Sequence, residues 1–280
     1  MMTHLEKTIS APRSPFLVFT SAGDRSNVHL WCKRPRGYDL WVVYYGDRTF
    51  QHRQDADYYL ERDGAKFANL HHCYEQFRDL LSQYRAIMVM DDDVIISPRH
   101  IERLFHLRDE YDLWVLQPAF RARGKISHSI TRVYPLSFFR HVNFVETTCP
   151  LFRRDKLDEF MQVYDPSLVA WGVDWWYMAA LGDVRGRAAV VDSISCVNPR
   201  DQEKPGGVRE VNRLHVDVES RSHWEAVKAR HHIELEERLI DFKTGPSRIA
   251  WKERLRSWAT WQRDRLHLHP RVPEPLRSVL

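Results

Sequence analysis

The chain has 280 residues, a formal net charge of +4, 43% hydrophobic and 29% charged residues. That is enough for one large domain with its own core, or for a domain carrying an appendage. The small, mixed charge argues against a dedicated nucleic-acid binder, and no window approaches the roughly 20 apolar residues of a membrane span.

Residues 1–15 form an N-terminal extension without the apolar core of a signal peptide. The four cysteines, Cys32, Cys73, Cys149 and Cys196, form no C-x-x-C pair. They read as small buried hydrophobes in a reducing compartment, with no zinc site or disulfide framework indicated. A cytoplasmic protein is the expectation.

Phe16–Thr20 reads as a strand that runs into the turn Ser21-Ala-Gly-Asp24, and Tyr38–Tyr45 as a second strand stopped by Gly46-Asp47. The spacer between them, 25–37, has room for a crossover helix. Neither strand leads into a glycine-rich phosphate loop, so neither a Rossmann dehydrogenase nor a P-loop enzyme is indicated. Phe67, Leu70, Tyr74, Phe77, Leu81 and Tyr84 fall on one face of a single predicted helix.

Ala86–Met90 is an unbroken apolar run, the mark of a strand buried on both faces of a parallel sheet. Asp91, Asp92 and Asp93 follow it at once. On an extended chain Asp91 and Asp93 share one side and Asp92 faces the other. Three adjacent carboxylates repel each other unless a cation sits among them, and a hard divalent ion such as Mn²⁺ or Mg²⁺ suits oxygen ligands. The alternative is a polar strand-to-helix turn, because Ser97-Pro98 is an N-cap with proline at N1.

A helix from Pro98 and a strand over 112–118, ended by Pro118, come next. The irregular stretch 119–150 holds a predicted short strand at Asn143–Glu146. A helix capped by Asp155 follows, then a short helix opened by Trp171-Gly-Val-Asp-Trp-Trp-Tyr177 and ended by Gly182. Ala188–Val197 is the last strand of the domain, which spans 16–215. The tail, 216–280, reads as a helical appendage with one helix through Trp224, Val227, His231, Leu235 and Leu239 and another through Ile249–Leu266. The basic, Trp-bearing segment 248–265 suggests peripheral contact with the inner membrane face, or equally core packing.

This order of elements gives an α/β fold, with the carboxylates at the carboxyl end of a central strand where open sheets bind ligands. Nucleoside diphosphate sugars need a metal there without a phosphate loop. The Asp91–Asp93 stretch resembles the D-x-D motif of GT-A glycosyltransferases. The chain as a whole resembles the GT-A-like family called domain of unknown function 707. That resemblance rests on Ala22-Gly-Asp24, Tyr45-Gly-Asp47, Asp91–Asp93, Gln117-Pro-Ala119, Ser127-His128, Ile130-Thr131, Asn143–Glu146, Pro150, Phe152 and Trp171–Trp175, in that order. It implies a GT-A-like, mostly parallel sheet flanked by helices, and transfer of a sugar from a UDP- or GDP-linked donor to a saccharide or lipid-linked acceptor.

The resemblance further implies that Asp91 and Asp93 meet the metal and the ribose or sugar, with Asp92 touching the donor or supporting the site from behind. Ser21, Gly23 and Asp24 would sit beside the nucleotide, and His128 and Glu146 would touch the donor. Arg132 and Arg200 are candidate diphosphate partners. Trp171-Gly-Val-Asp174 resembles the W-G-x-[ED] segment that supplies an acceptor-binding acid, making Asp174 the general base and Trp171 and Trp175 stacking faces for a sugar. In place of the histidine that completes the metal site in the family, this chain has Asn198. Either Asn198 serves, or His215 folds back, or the ion is held weakly. A binding-only protein of the same fold is therefore the main alternative, and a metal-dependent phosphodiesterase ranks below it.

Overall fold

The computed structural model describes residues 5–169, 171–200 and 220–242, with positions 255, 258, 259 and 262 beyond them. Ten strands form one sheet: β1 (Glu6–Lys7), β2 (Phe16–Ala22), β3 (Asp39–Tyr44), β4 (Tyr58–Glu61), β5 (Ala86–Val89), β6 (Val115–Phe120), β7 (Arg140–Val142), β8 (Leu151–Arg153), β9 (Ala188–Cys196) and β10 (Asp241–Phe242). Their spatial order is β1-β4-β3-β2-β5-β8-β6-β9-β7-β10. β2, β3, β4 and β5 pair in parallel, as do β6 and β9. β8 runs antiparallel between β5 and β6, so every strand of four or more residues points the same way. The α/β class expected from the sequence, a mostly parallel sheet flanked by helices, is the architecture found.

Both faces of the sheet are buried. Leu17, Phe19, Trp41, Val43, Ile87 and Val89 face one core, with side chains of α1 (Lys66–Gln76), α4 (Arg154–Met161), α5 (Val173–Leu181) and α6 (Ser220–Arg230). The alternate residues, Phe16, Val18, Leu40, Val42, Ala86 and Met88, face a second core with α3 (Pro98–Glu110). The period-two alternation of a strand explains this split, and burial on both sides explains why the strands read as unbroken apolar runs.

Several local expectations are corrected. The spacer 25–37 holds only a 3₁₀ turn, Val28–Leu30. The predicted helix over 67–84 breaks at Phe77 (φ −134°) into α1 and α2 (Arg78–Leu81). Pro118 lies inside β6, at an irregularity in the β6–β9 register, the kind of position where a strand tolerates a residue without an N–H. The predicted strand at 143–146 is absent, and the chain pairs instead at Arg140–Val142. Asp155 sits in the first turn of α4, after an Arg153 cap.

Segments on both sides of the stretch 16–215 join the same sheet. β1 pairs with β4, so the N-terminal extension joins the sheet. α6 ends at Arg230 rather than continuing to Leu239, and β10 then pairs with β7. Trp224 is fully buried, so this part of the tail belongs to the domain core. Among the described residues no helix is long and apolar enough to cross a membrane. Of the second tail helix only Leu255, Trp258, Ala259 and Gln262 are described, and Leu255 and Trp258 are exposed. His215 lies outside the described residues.

Candidate functional site

β2 has β3 on one side and β5 on the other, and the chain leaves β2 towards β3. The order of the strands therefore reverses between β2 and β5, and the crevice beyond their carboxyl ends is where open α/β sheets take ligands. Two sequence-predicted segments emerge there side by side, 21–24 from β2 and 91–93 from β5.

They are stitched together. Gly23 N donates to Asp92 Oδ2 at 2.9 Å, Asn27 N to Asp92 O at 2.7 Å, and Asn27 Nδ2 to Asp93 O at 2.7 Å. Asp92 thus supports the two turns from behind. The strict alternation expected of the triplet does not hold, because β5 stops at Val89 and Asp92–Asp93 form a turn, with Val94 N donating to Asp91 O at 3.4 Å.

Asp91 faces a residue that the sequence reading missed. Lys66, buried at the start of α1, places Nζ 2.7 Å from Asp91 Oδ1 and donates to the carbonyls of Thr147 at 2.5 Å and Thr148 at 3.2 Å. Asp91 N in turn donates to Thr148 O at 2.8 Å. A signal was present: a lysine in the first turn of a helix opposes the positive end of its dipole, so something else has to hold it there. Asn69, also buried, was missed as well. It donates to Ser21 Oγ at 3.0 Å and fixes the end of β2.

Asp24 looks away from the triplet. Its carboxylate accepts from the Tyr44 hydroxyl and from the amides of Asp47 and Arg48, both at 3.2 Å. Burial pushes the carboxyl up, but these donors and the Arg48 charge together hold it below its usual range. Beside it, an open cavity of about 350 Å³ is lined by Tyr44, Tyr45, Asp47, Arg48, Glu61 and Arg62.

On the other side of Thr147 stands Asp174, in the first turn of α5. It is 8% exposed. Burial raises its pKa to about 6, opposed by the Trp175 and Thr147 amides and assisted by nearby Glu237. Gly172 opens this helix at φ +103°, a left-handed conformation suited to glycine, and a Cβ there would lie 2.3 Å from the Trp224 ring.

Glu146 is buried, accepting from Thr148 Oγ1 at 3.0 Å and Thr131 Oγ1 at 3.5 Å. His128 stacks near Phe144 and Trp171, with ring centroids 4.5 and 5.7 Å away, and burial pushes its imidazole down towards the neutral form. Trp171 is 40% exposed with the Arg221 guanidinium over its ring. Trp175 is a correction: it is 5% exposed and packed on Phe144, so it is a core residue and its faces are covered. Arg132 and Arg200 are exposed.

Asp93 and Asn198 are the candidate oxygen donors for a hard cation. The bridge Ile95↔Val197 zips the chain after β5 to the chain after β9, and its register sets Asn198 opposite Val94, next to Asp93. Asn198 is 2% exposed, and its Oδ1 accepts no hydrogen bond among the described residues. A buried acceptor left open in this way fits an ion or a polar ligand. Asp91 is drawn off towards Lys66, and Asp92 towards Gly23.

Fold and site together define a three-layer α/β protein with an acidic crevice at the switch point of its sheet. No family model and no curated protein matches the chain. Among solved structures it is similar to S. aureus TarS, at 14% identity and a TM-score of 0.49, over 78% of this chain and 42% of that one. It is also similar to S. aureus TarS 1-349 in complex with UDP-GlcNAc, at 13% identity and a TM-score of 0.48, over 90% and 72%. The chain thus spans less than half of the longer TarS chain.

Proposed function

We propose that the protein is a glycosyltransferase of the GT-A-like family named above, moving a sugar from a UDP- or GDP-linked donor to a saccharide or lipid-linked acceptor. The observation that carries this reading is the joining of the two carboxyl-end turns at the β2/β5 switch point, with a continuous polar path from Asp92 and Asp91 through Lys66 and Thr147 to Asp174.

Asp93 and Asn198 would hold a Mn²⁺ or Mg²⁺ ion through oxygen. Bound there, the ion would offset the charge that builds on the departing diphosphate. Lys66 fixes Asp91 on the wall of the crevice, and Asp92 keeps the 21–24 turn closed so that its backbone can face the nucleotide. Asp174 takes the proton from the acceptor hydroxyl. A carboxyl raised to about 6 is ionised at neutral pH yet basic enough to share a proton in the transition state. Trp171, 40% exposed beneath the Arg221 guanidinium, would contact an acceptor sugar with the part of its ring left open.

Calorimetric titration with UDP and with GDP, with and without Mn²⁺, tests the reading. Metal-dependent nucleotide binding is expected, weakened at least 10-fold in Asp93→Ala. Equal binding by wild type and variant would remove the metal role from Asp93. Asn198 in place of a histidine favours a second reading, binding without transfer. Donor turnover that disappears in Asp174→Asn while nucleotide binding persists excludes it.

A further inference from the structure

The two connections that flank β3 bring together Cys32, His52 and Asp55, whose ligand atoms all lie within 4.8 Å of one another. We propose that these three residues, with His29 as the fourth ligand, form a structural Zn²⁺ site.

The geometry is close to that of a bound ion. Cys32 Sγ is 3.6 Å from Asp55 Oδ2, and His52 Nδ1 is 3.2 Å from the same oxygen. Around a tetrahedral zinc, with Zn–S near 2.3 Å and Zn–N and Zn–O near 2.0 Å, the sulfur–oxygen edge is about 3.5 Å and the nitrogen–oxygen edge about 3.3 Å. His29 stacks on His52 with ring centroids 6.1 Å apart. Two imidazoles on one tetrahedral zinc hold their centroids about 5 Å apart, so His29 would have to approach and turn its ring edge toward the ion to join. A thiolate, two imidazoles and a carboxylate are the ligand types zinc takes, whereas Mg²⁺ and Ca²⁺ avoid sulfur.

The ligand-bearing segments are also held in place. The buried Arg36 guanidinium donates to Cys32 O and, at 2.8 Å, to Asp55 O, while its charge is met by Asp57 at 2.6 Å. This pins 32 and 55 at a fixed separation without leaving an uncompensated cation beside the site. Cys32 is buried, and the His52 and Asp55 side chains are partly exposed, which leaves an entry path. On binding, the Cys32 thiol gives its proton to solvent as the sulfur–zinc bond forms. The ion would add a second tie between the β2–β3 and β3–β4 connections, beside the Arg36–Asp57 ion pair.

The test uses the full chain, stripped of metal and titrated with Zn²⁺ and, separately, with Co²⁺. The expected result is one Zn²⁺ per chain by elemental analysis, a near-ultraviolet sulfur-to-cobalt charge-transfer band, and a rise in Tm on adding Zn²⁺. Cys32→Ser should abolish the band, and His52→Ala, at a partly exposed side chain, should weaken Zn²⁺ binding at least 10-fold. Asp93→Ala should leave both readouts unchanged, which separates this site from any ion in the crevice. Absence of stoichiometric Zn²⁺ in folded wild type, or Zn²⁺ binding by Cys32→Ser and His52→Ala as tight as wild type's, would overturn the proposal. In that event the cluster is a hydrogen-bonded one, with thiol and imidazole both donating to Asp55.

Discussion

Asp174 sets function against stability. In the folded chain its pKa rises from 3.8 to about 6 because burial disfavours the charge. Between those pH values the folded state holds the proton more tightly than the unfolded state does. Its contribution to stability is therefore full below about pH 4 and is lost as pH rises through 6, a cost on the order of 3 kcal/mol. Asp174→Asn is expected to match wild-type stability below pH 4 and to exceed it above pH 6 by up to that amount, in denaturant titrations across pH. Transfer should vanish in the same variant, and wild-type turnover should rise with pH through about 6. A variant no more stable than wild type at pH 7 would contradict a buried, ionised Asp174. Lys66 shows the other side of residue-scale reading: the Asp triplet was visible in the sequence, but its partner lies 25 positions earlier and only the fold joins them.

At the scale of elements, the entry to α5 decides where Asp174 points. Gly172 packs against Trp224 of α6, and an added methyl would collide with the indole while straining the φ of +103°. Gly172→Ala is expected to cost about 1–3 kcal/mol by thermal or chemical unfolding and to reduce transfer by displacing the start of the helix. The sheet corner at β7 rests on Arg140, which donates to Asp192 from Nε at 2.9 Å and Nη2 at 3.1 Å and reaches Asp241 of β10 at 3.2 Å. Both Arg140 and Asp192 are buried. Arg140→Ala leaves a buried carboxylate without its cation and is expected to destabilise by about 3–5 kcal/mol, readable as a lowered midpoint in urea. Loss of less than 1 kcal/mol would mean that water or another donor replaces the guanidinium.

For the whole molecule, six strands of one direction carry the crevice, and chain segments from both ends complete the sheet. Ending the chain at residue 219 removes α6, β10 and the fully buried Trp224 together. Since removing one buried tryptophan side chain alone costs about 3–5 kcal/mol, the truncated chain is expected to show a lower Tm and exposed apolar surface by dye binding. An unchanged Tm would restore the reading of the tail as a separate appendage.

The α/β class, the main strands and the position of the Asp triplet are all legible in the residue pattern alone. Buried parallel strands write themselves as unbroken apolar runs, and a strand that ends in carboxylates marks its own exit from the core. The pattern also marks Gly182 as the end of α5. Which distant residues meet is visible only in the folded chain. Lys66 opposite Asp91, Asn69 on Ser21, Asn198 opposite Val94, Trp224 over Gly172 and the Cys32–His52–Asp55 cluster all depend on strand order and register. Local pattern encodes what each residue prefers to bury. Pairings between segments tens of residues apart follow from the closure of the sheet, which no short window of sequence contains.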